Sequence, residues 1–327
     1  MRAAWYSRNG EARDVLVVGD LPTPSPGAGE VRVKLVTSGV NPSDMRFRRI
    51  RPTSGERVVP HSDGAGIVDA VGAGVSPARV GERVWIWNGQ WQRPMGTAAE
   101  YIAISADHAV TLPAIVDFDA GACLGIPAMT AFQAVRMAGE IAGKTVLVIG
   151  ASSSVGYYAA QVAAARGARV IGTVGSPEKA THATTAGVEA TINYKTEPVA
   201  DRIKELTAGK GADAIIDMDL NTTIKLLGSG GLAPYGTLVS YGSSVPGDIA
   251  FPIQTLREKL HRLAFVGVYR LSPDDRRAAI EGLTAMLAAG TLTHAIGARF
   301  RLDDVVAAHE AVERGQVIGN VIVDVTT

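Results

Sequence analysis

Apolar and polar residues alternate along the first part of the chain, and glycine-containing turns separate the alternating runs. The stretch "EVRVKLVTSGV" has the period of two that places successive side chains on opposite faces of a β-strand. "GAGIVDAVGAGV" and "GERVWIW" follow with the same character and with glycine punctuation. This pattern predicts an all-β segment from residue 1 to about residue 118.

From about Asp119 the apolar period lengthens. "FDAGACLGIPAMTAFQAVRMAG" has helical spacing, and after "GKT" strand-like and helix-like segments alternate. The strand-like segments are "TVLVIG", "ARVIGTV", "ADAIIDM" and "GTLVSYG". Because strands that alternate with helices usually run parallel, this part predicts a parallel sheet covered by helices on both faces.

The last part of the chain returns to a mixed pattern. "SPDDRRAAIEGLTAMLAAG" predicts a helix, with Ser272 as its cap and Pro273 at its first helical position. "LDDVVAAHEAVERG" predicts a second helix, and "GNVIVDV" a closing strand. The predicted order is a β domain, an α/β domain of nucleotide-binding type, and a tail.

Length and charge narrow the possible functions. A chain of 327 residues exceeds one typical core, so we expect two domains. Lysine and arginine number 32 against 32 acidic residues, which gives no basis for expecting nucleic acid or an anionic membrane as a partner. Cys123 is the only cysteine, and no apolar run approaches the roughly 18 residues of a membrane span. A cytoplasmic protein is the resulting expectation.

A loop of small residues follows the strand "TVLVI". Gly150 ends that strand and Gly156 opens the next helix, with one alanine, three serines and a valine between them. Small residues let a pyrophosphate approach the backbone, where N–H groups at a helix N-terminus attract anions. The loop "GASSSVG" departs from the G-x-G-x-x-G pattern, so a tight turn with serine caps is the alternative.

The second strand, "ARVIGTV", ends without the acidic residue that usually binds the adenosine ribose of NAD. Ser176 and Lys179 stand at that edge instead. A carboxylate would repel a 2′-phosphate, whereas a hydroxyl and an ammonium group supply hydrogen bonds and opposite charge. The sequence therefore predicts NADPH as the cofactor, and a solvated Lys179 is the alternative.

With these residues placed, the chain resembles the medium-chain dehydrogenase/reductase superfamily, and most closely its zinc-free quinone oxidoreductase (zeta-crystallin-like) and ene-reductase branch. The matching motifs, in order, are "SGVNPSD", "DGAGIVDAVGAGV", "VGERV", "GTAAEYIAI", "GIPAMTAFQAV", "VLVIGASSSVG", "GARVIGT", "SPEKA", "INY" and "NVIVDV". The resemblance implies an α/β protein with a GroES-like β domain over 1–118 and 268–327. A Rossmann domain with a doubly wound parallel sheet occupies 119–267, and the nicotinamide lies in the cleft between the two.

The same resemblance implies the activity and the assembly. We expect NADPH to deliver hydride to a quinone, or to the C=C bond of an α,β-unsaturated carbonyl compound, without zinc. We also expect a homodimer, with sheets joined edge to edge around "FPIQTLREKLHRLAFVGVY". Two alternatives stay open. One is an enoyl-thioester reductase that uses the basic run "RFRRIR", and the other is an NADPH-binding protein without turnover.

The resemblance implies a set of cofactor contacts. They are Asn41 and Thr130 at the nicotinamide; Ser153, Ser154, Val155 and Gly156 at the pyrophosphate; Gly175, Ser176, Lys179 and Tyr194 around the adenosine ribose and its 2′-phosphate; and Gly242, Ser243, Val266, Gly267, Val268 and Asn320 in the remaining loops. For Tyr194, packing in a partly buried position is the alternative.

The resemblance also locates the positions that hold catalytic zinc in related alcohol dehydrogenases. Asn41, Ser62 and Ile126 stand there, with His61 one residue before the second position. Zinc prefers thiolate, imidazole or carboxylate ligands, so we expect no metal.

The sequence indicates the substrate and catalytic residues less clearly than the cofactor contacts. Asn41 and Asp44 are the catalytic candidates at the nicotinamide edge, although Asp44 equally fits a helix cap. Many relatives carry an "R-x-G-x-Y" segment here, but Pro52 stands at the tyrosine position, so no proton donor is assigned. Trp87 and Trp91 are candidates for a flat pocket wall, with core packing as the alternative.

Overall fold

The computed structural model describes residues 1–53, 55–245 and 247–326. The chain forms two compact units. The first unit combines Met1–Pro127 with Leu283–Thr327, and the second unit is Ala128–Gly282. The domain boundaries expected from the sequence, after residues 118 and 267, stay a prediction.

Strands predominate before residue 118, as the alternating pattern predicts. In chain order the elements are β1 (Arg2–Trp5), α1 (Ala12–Val15), β2 (Val17–Asp20), β3 (Glu30–Val40), α2 (Pro42–Ile50), β4 (Asp63–Val71), β5 (Arg83–Ile86), β6 (Tyr101–Ser105) and β7 (Ala109–Thr111). The all-β expectation is wrong for 12–15, which is a single helical turn, and for 42–50. At 42–50 the proline at the first position and the Asp44 cap start a helix inside the polar run "NPSDMRFRRI".

Helices and strands then alternate. In order they are α3 (Phe118–Gly121), α4 (Met129–Met137), β8 (Thr145–Val148), α5 (Ser154–Ala165), β9 (Arg169–Val174), α6 (Pro177–Thr184), β10 (Ala190–Asn193), α7 (Val199–Leu206), β11 (Ala212–Asp217), α8 (Leu220–Gly228), β12 (Leu232–Ser240), α9 (Ile253–Lys259) and β13 (Arg262–Phe265). One turn of π-helix, Leu124–Ala128, precedes α4.

The tail contains both predicted helices and the closing strand. The elements are α10 (Pro273–Ala288), β14 (Ile296–Arg301), α11 (Val305–Arg314) and β15 (Asn320–Asp324). The predicted cap of α10 is confirmed, because the Ser272 hydroxyl accepts a hydrogen bond from the backbone N–H of Asp275 at 3.1 Å.

The main sheet of the first unit is built around β3. Within the described residues its strand order is β14-β15-β3-β4-β5-β7, and β6 also pairs with β3. The alternation in β3 buries Val31, Val33 and Leu35 and leaves Lys34 exposed. These valines and the leucine join one apolar cluster with side chains from β1, β4 and α11.

The sheet of the second unit is parallel throughout its described part, in the order β10-β9-β8-β11-β12-β13. Numbered from β8, this is the 3-2-1-4-5-6 order of a dinucleotide-binding fold. Leu147, Ile171 and Ile215 form its buried centre. The predicted doubly wound parallel sheet is confirmed. In such sheets, ligands bind beyond the carboxyl ends of the strands where the order reverses, here between β8 and β11.

Among the described residues, no helix combines the length and the apolar character that crossing a bilayer requires.

Candidate functional site

The loop from β8 to α5 is shaped by two glycines. Gly150 has a φ of +68°, a left-handed conformation that favours glycine. A Cβ on Gly156 would collide with the carbonyl oxygen of Gly150, so the first turn of α5 packs directly on the loop. Ser153 caps α5, since its hydroxyl accepts from the Gly156 N–H at 3.1 Å. The partly exposed residues Ser154 and Val155 occupy the helix start, where backbone N–H groups lack intrahelical acceptors.

The neighbouring strand β9 fixes this loop. The Thr173 hydroxyl accepts a hydrogen bond from the Gly150 N–H at 2.9 Å, and the Thr173 carbonyl accepts one from the Ala151 N–H at 3.0 Å. Sequence reasoning missed this role of Thr173, because a buried threonine inside a strand gives no signal of its own. These two hydrogen bonds join the loop to the strand β9.

The carboxyl end of β9 has the composition that the sequence predicts for a phosphate site. Gly175 is buried, whereas Ser176 and Lys179 are partly exposed. The Ser176 hydroxyl caps α6 by accepting from the Lys179 N–H at 3.3 Å. Tyr194 lies against Gly175, because a Cβ built on that glycine would stand 2.7 Å from the Tyr194 hydroxyl. Tyr194 is 53% exposed, so the structure does not support buried packing as its role.

An acidic cap organises the loop after β12. The side chain of Asp219 accepts hydrogen bonds from the N–H and the hydroxyl of Ser244, both at 2.8 Å, and from the Thr222 hydroxyl at 2.6 Å. Partial burial acts to raise the pKa of Asp219, but these hydrogen bonds lower it on balance. Gly242 and Ser243, two of the predicted cofactor contacts, lie in the loop that Asp219 holds.

The other predicted cofactor residues are divided between the two units. Thr130 is buried on α4, Val266 is buried after β13, Gly267 is exposed and Val268 is buried, all in the second unit. Asn320 lies in the first unit at the start of β15, and both its backbone N–H and its side-chain amide donate to the Ala295 carbonyl. These two bonds join the start of β15 to the residue before β14, and β15 lies between β14 and β3 in the sheet.

The first unit buries one cluster of three polar residues, two from the β3–α2 junction and one from the start of β4. Asn41, Asp44 and Asp63 are each less than 5% exposed. The Asn41 side-chain amide donates to the Asp63 carboxyl group at 2.8 Å, and the same oxygen accepts from the Ile126 N–H at 3.0 Å. The Asp44 carboxyl group accepts from the Asn41 backbone N–H at 2.7 Å, which is the capping role.

Burial changes the acidity of both carboxyl groups. It raises the pKa of Asp44 to about 7, and it raises the pKa of Asp63 well above its usual range. The sequence marked Asp44 as a candidate but assigned no role to Asp63. A signal was present, because the motif "DGAG" begins with that acid, but only the fold brings it to Asn41.

The three positions aligned with zinc ligands do not form a zinc site. Asn41 offers an amide that already donates to Asp63, Ser62 a hydroxyl, and Ile126 an aliphatic side chain. His61 is fully buried and bonds to other protein groups through both of its ring nitrogens. Among the residues that the structure describes, no group of three or more His, Cys, Asp or Glu side chains is placed to hold a metal ion.

The tryptophans proposed as pocket walls differ in position. Trp87 is 3% exposed and its ring lies 3.9 Å from the His108 ring, centroid to centroid, which favours the core alternative. Trp91 is partly exposed and lies 6.0 Å from Phe47, and the guanidinium of Arg51 stands 4.3 Å from the centre of the Trp91 ring. Trp91, Phe47 and Arg51 thus form a cation–π cluster.

The basic run "RFRRIR" is largely engaged within the protein. Arg48 is fully buried and pairs with Glu313, and Arg49 pairs with Glu11 at 2.7 Å. Arg51 belongs to the cation–π cluster. Arg46 is exposed, so the run keeps part of its positive charge at the surface.

Comparison with known proteins agrees with this geometry. Residues 27–114 match the family model of the alcohol dehydrogenase GroES-like domain, and residues 154–285 match that of the zinc-binding dehydrogenases. The Homo sapiens protein named quinone oxidoreductase is 32% identical over 324 residues, covering 96% of this chain and 94% of that one. Its Pseudomonas aeruginosa namesake is 32% identical over 315 residues, covering 94% and 95%.

Solved structures show the same fold over the whole chain. The Escherichia coli quinone oxidoreductase complexed with NADPH has a TM-score of 0.86 at 26% identity, covering 99% of this chain and 100% of its own. A structure described as an NAD-dependent alcohol dehydrogenase has a TM-score of 0.90 at 26% identity, covering 100% of both chains. The two matched domains, the glycine loop and the near full-length relatives together show that the chain belongs to the quinone oxidoreductase family of the medium-chain dehydrogenase/reductase superfamily.

Proposed function

We propose that this protein is an NADPH-dependent oxidoreductase that reduces quinones, with the C=C bond of α,β-unsaturated carbonyl compounds as a second acceptor class. The observation that carries the proposal is the end of β9, where Ser176 and Lys179 are partly exposed and residues 170–177 include no acid. The relatives named quinone oxidoreductase, and the complex of one of them with NADPH, support it.

The second unit supplies the nucleotide site in this proposal. The exposed start of α5 accepts the pyrophosphate, because its free N–H groups and dipole favour an anion at Ser154 and Val155. Lys179 provides a positive charge for the 2′-phosphate and Ser176 a hydroxyl. Tyr194, half exposed beside Gly175, packs on the adenosine. Thr130, Gly242, Ser243, Val266, Gly267 and Val268 complete the proposed contacts in this unit.

The first unit supplies the residues closest to the chemistry. Asn41 is proposed to contact the nicotinamide, and Asp63 fixes the direction of its amide. Bound NADPH supplies the hydride, while the protein binds and orients both reactants. Asp44 caps α2 and is kept only as a weaker catalytic candidate. Trp91 is the proposed pocket wall, since it is more exposed than Trp87. The contact assigned to Asn320 stays a prediction.

The thioester alternative loses part of its support, since Arg46 is the one arginine of the run that is exposed without a described ion pair or ring contact. Recognition of a phosphopantetheine or coenzyme A phosphate requires accessible positive charge. Arg48 is buried against Glu313, and Arg49 is shared between Glu11 and Glu313. Quinones and small enones need no such surface, so they are the favoured acceptors.

We also propose that two copies associate through the edge strand β13. In the described sheet of the second unit, β13 pairs only with β12, and Phe265 is 58% exposed. Leu260 and Ile253, on the same predicted segment, are 51% and 72% exposed. An uncovered strand edge with apolar side chains is suited to pairing with its own copy. A monomer mass by light scattering at micromolar concentration would contradict this.

A steady-state assay with several acceptors tests the proposed function. The loss of NADPH absorbance is followed with a benzoquinone, phenanthrenequinone, cyclohexenone, a short enal and crotonyl-CoA, and the products are identified. Hydroquinone formation supports the main proposal, and a saturated ketone from the enone supports the second acceptor class. Turnover of crotonyl-CoA alone would restore the thioester alternative. Tight NADPH binding without any turnover would favour a non-catalytic binding protein.

A further inference from the structure

Two histidines meet inside the first unit, away from any surface. His61, before β4, and His309, on α11, are both fully buried. Their Nε2 atoms lie 2.9 Å apart and their ring centres 5.1 Å apart. A hydrogen bond between two imidazole nitrogens needs one donor and one acceptor, so a single hydrogen lies between these two atoms.

The other side of His61 leads into two hydroxyl groups. His61 Nδ1 lies 2.8 Å from Ser38 Oγ, and Ser38 Oγ lies 2.8 Å from Thr97 Oγ1. Thr97 Oγ1 in turn makes a short hydrogen bond to the backbone carbonyl of Asp63. Ser38 Oγ is 3.5 Å from that carbonyl, which is too long to compete with Thr97.

The carbonyl at the end of this series sets the direction of every hydrogen bond in it. A carbonyl oxygen only accepts, so the single hydrogen of Thr97 points to Asp63. Ser38 must then donate to Thr97, and it accepts from His61 Nδ1–H. His61 Nε2 is therefore bare and accepts from His309 Nε2–H.

Both rings are neutral in this arrangement. A further proton on His61 would place two hydrogens between the Nε2 atoms. Burial lowers the pKa of His61 to about 3, and burial, with the charge of Arg48 adding to it, lowers the pKa of His309 well below its usual value. Arg48 on α2 is itself paired with Glu313 of α11.

The chain of hydrogen bonds ends on the residue that orients Asn41. Asp63 is held at its backbone carbonyl by Thr97, and its carboxyl group accepts from the Asn41 amide and the Ile126 N–H. A shift of Asp63 would turn the Asn41 amide. Errors of about 1 Å in the placement of a reacting group cost roughly a hundredfold in rate.

We propose that His309, His61, Ser38 and Thr97 form a one-directional hydrogen-bond chain that positions Asp63 and thereby the Asn41 amide. Through this chain, His309 on α11, which is distant in sequence, influences the orientation of the Asn41 amide. The effect on the reaction rests on the proposed function, whereas the direction of the chain does not. His309 is a positioning residue here, since it acts through three other side chains.

Nuclear magnetic resonance of the full-length protein, isotope-labelled in its histidine rings, tests the direction. The expected result is hydrogen on Nδ1 of His61 and on Nε2 of His309, with neither ring protonated at neutral pH. The opposite tautomers, or a charged ring at either position, would overturn the proposal. This readout does not depend on catalysis. A failure of the hydrogen-bond chain can therefore be told apart from a failure of the proposed function.

Three substitutions test the positioning effect. His309→Gln keeps an N–H group for His61, whereas His309→Leu removes it. We expect His309→Leu to lower kcat for NADPH-dependent quinone reduction on the order of tenfold with KM nearly unchanged, and His309→Gln to restore most of it. Ser38→Ala, a smaller change on the opposite side of His61, should lower kcat in the same way. Equal loss in His309→Gln and His309→Leu, or wild-type kcat in Ser38→Ala and His309→Leu, would contradict the positioning role.

Discussion

Replacing His309 by glutamine removes one buried imidazole and keeps a donor for His61. In the native protein His309 stays neutral, because burial and the neighbouring Arg48 charge lower its pKa well below 6.5. In the unfolded chain it takes up a proton below about pH 6.5. The stability that neutral His309 contributes is therefore complete above that pH and is lost as the pH falls.

The size of this effect follows from proton linkage. Each proton bound only by the unfolded chain costs about 1.4 kcal/mol per pH unit below the unfolded pKa. Between about pH 7 and about pH 5, the wild type should lose about 2 kcal/mol more of its free energy of unfolding than His309→Gln does. His61, Asp44 and Asp63 are present in both proteins, so their contributions cancel in the difference.

Urea unfolding followed by tryptophan fluorescence at several pH values measures this difference. His182→Gln is a matched control, because His182 is only partly buried and burial lowers its pKa by less than that of His309. The pH-dependent difference in unfolding free energy between the wild type and His182→Gln should have the same sign and be smaller. Parallel pH curves for wild type and His309→Gln would refute the conclusion that His309 is neutral and buried in the native protein.

Substitutions at Lys179, Gly156 and Asp63 test the two units separately. Lys179→Ala should weaken NADPH binding about tenfold and leave NADH binding nearly unchanged, as measured by calorimetry, and equal losses would mean that Lys179 does not contact the 2′-phosphate. Gly156→Ala should weaken NADPH binding at least about tenfold, because the added methyl group collides with the loop, whereas Gly228→Ala, at a position with open space, should leave binding unchanged. Asp63→Asn should lower the free energy of unfolding, measured with urea, by less than about 1 kcal/mol, and Asp63→Ala should lower it by about 2–4 kcal/mol. The reason is that only alanine leaves the two buried donors, the Asn41 amide and the Ile126 N–H, without an acceptor. Similar losses in the two variants would contradict this.

Local chemistry in the sequence predicts the nucleotide loop well. Gly150, Ser153 and Gly156 have roles that depend on close neighbours, so turn and cap preferences are enough to find them. The cap at Ser272 is predicted for the same reason. The parallel sheet follows from the alternation of strands and helices, because its order depends on few rules of topology.

Roles that depend on contacts between distant segments are not visible in the sequence. Asp63 and Asn41 are 22 positions apart, and His61 and His309 are 248 positions apart. Each of these histidines is an isolated residue in its own segment, so spacing gives no signal for the pair. Trp87 shows the same limit, since strand alternation alone does not reveal that its ring lies on His108.

Short polar segments are the remaining weakness. Helix α2 lies in a run of charged residues between alternating strands, so the apolar pattern does not predict this helix. Asp219 carries no sequence signal for its role, whereas its three hydrogen bonds show that it holds the loop containing Ser244. Both depend on capping contacts that become evident only when the backbone is in place.

The most direct test of the central claim is a comparison of NADPH and NADH as reductants of one quinone by the purified protein. We predict oxidation of NADPH with formation of hydroquinone in equal amounts, and a kcat/KM for NADPH at least about tenfold above that for NADH, because Lys179 and Ser176 favour the 2′-phosphate. Equal or faster oxidation of NADH, or no oxidation of NADPH above the rate without protein, would contradict the account.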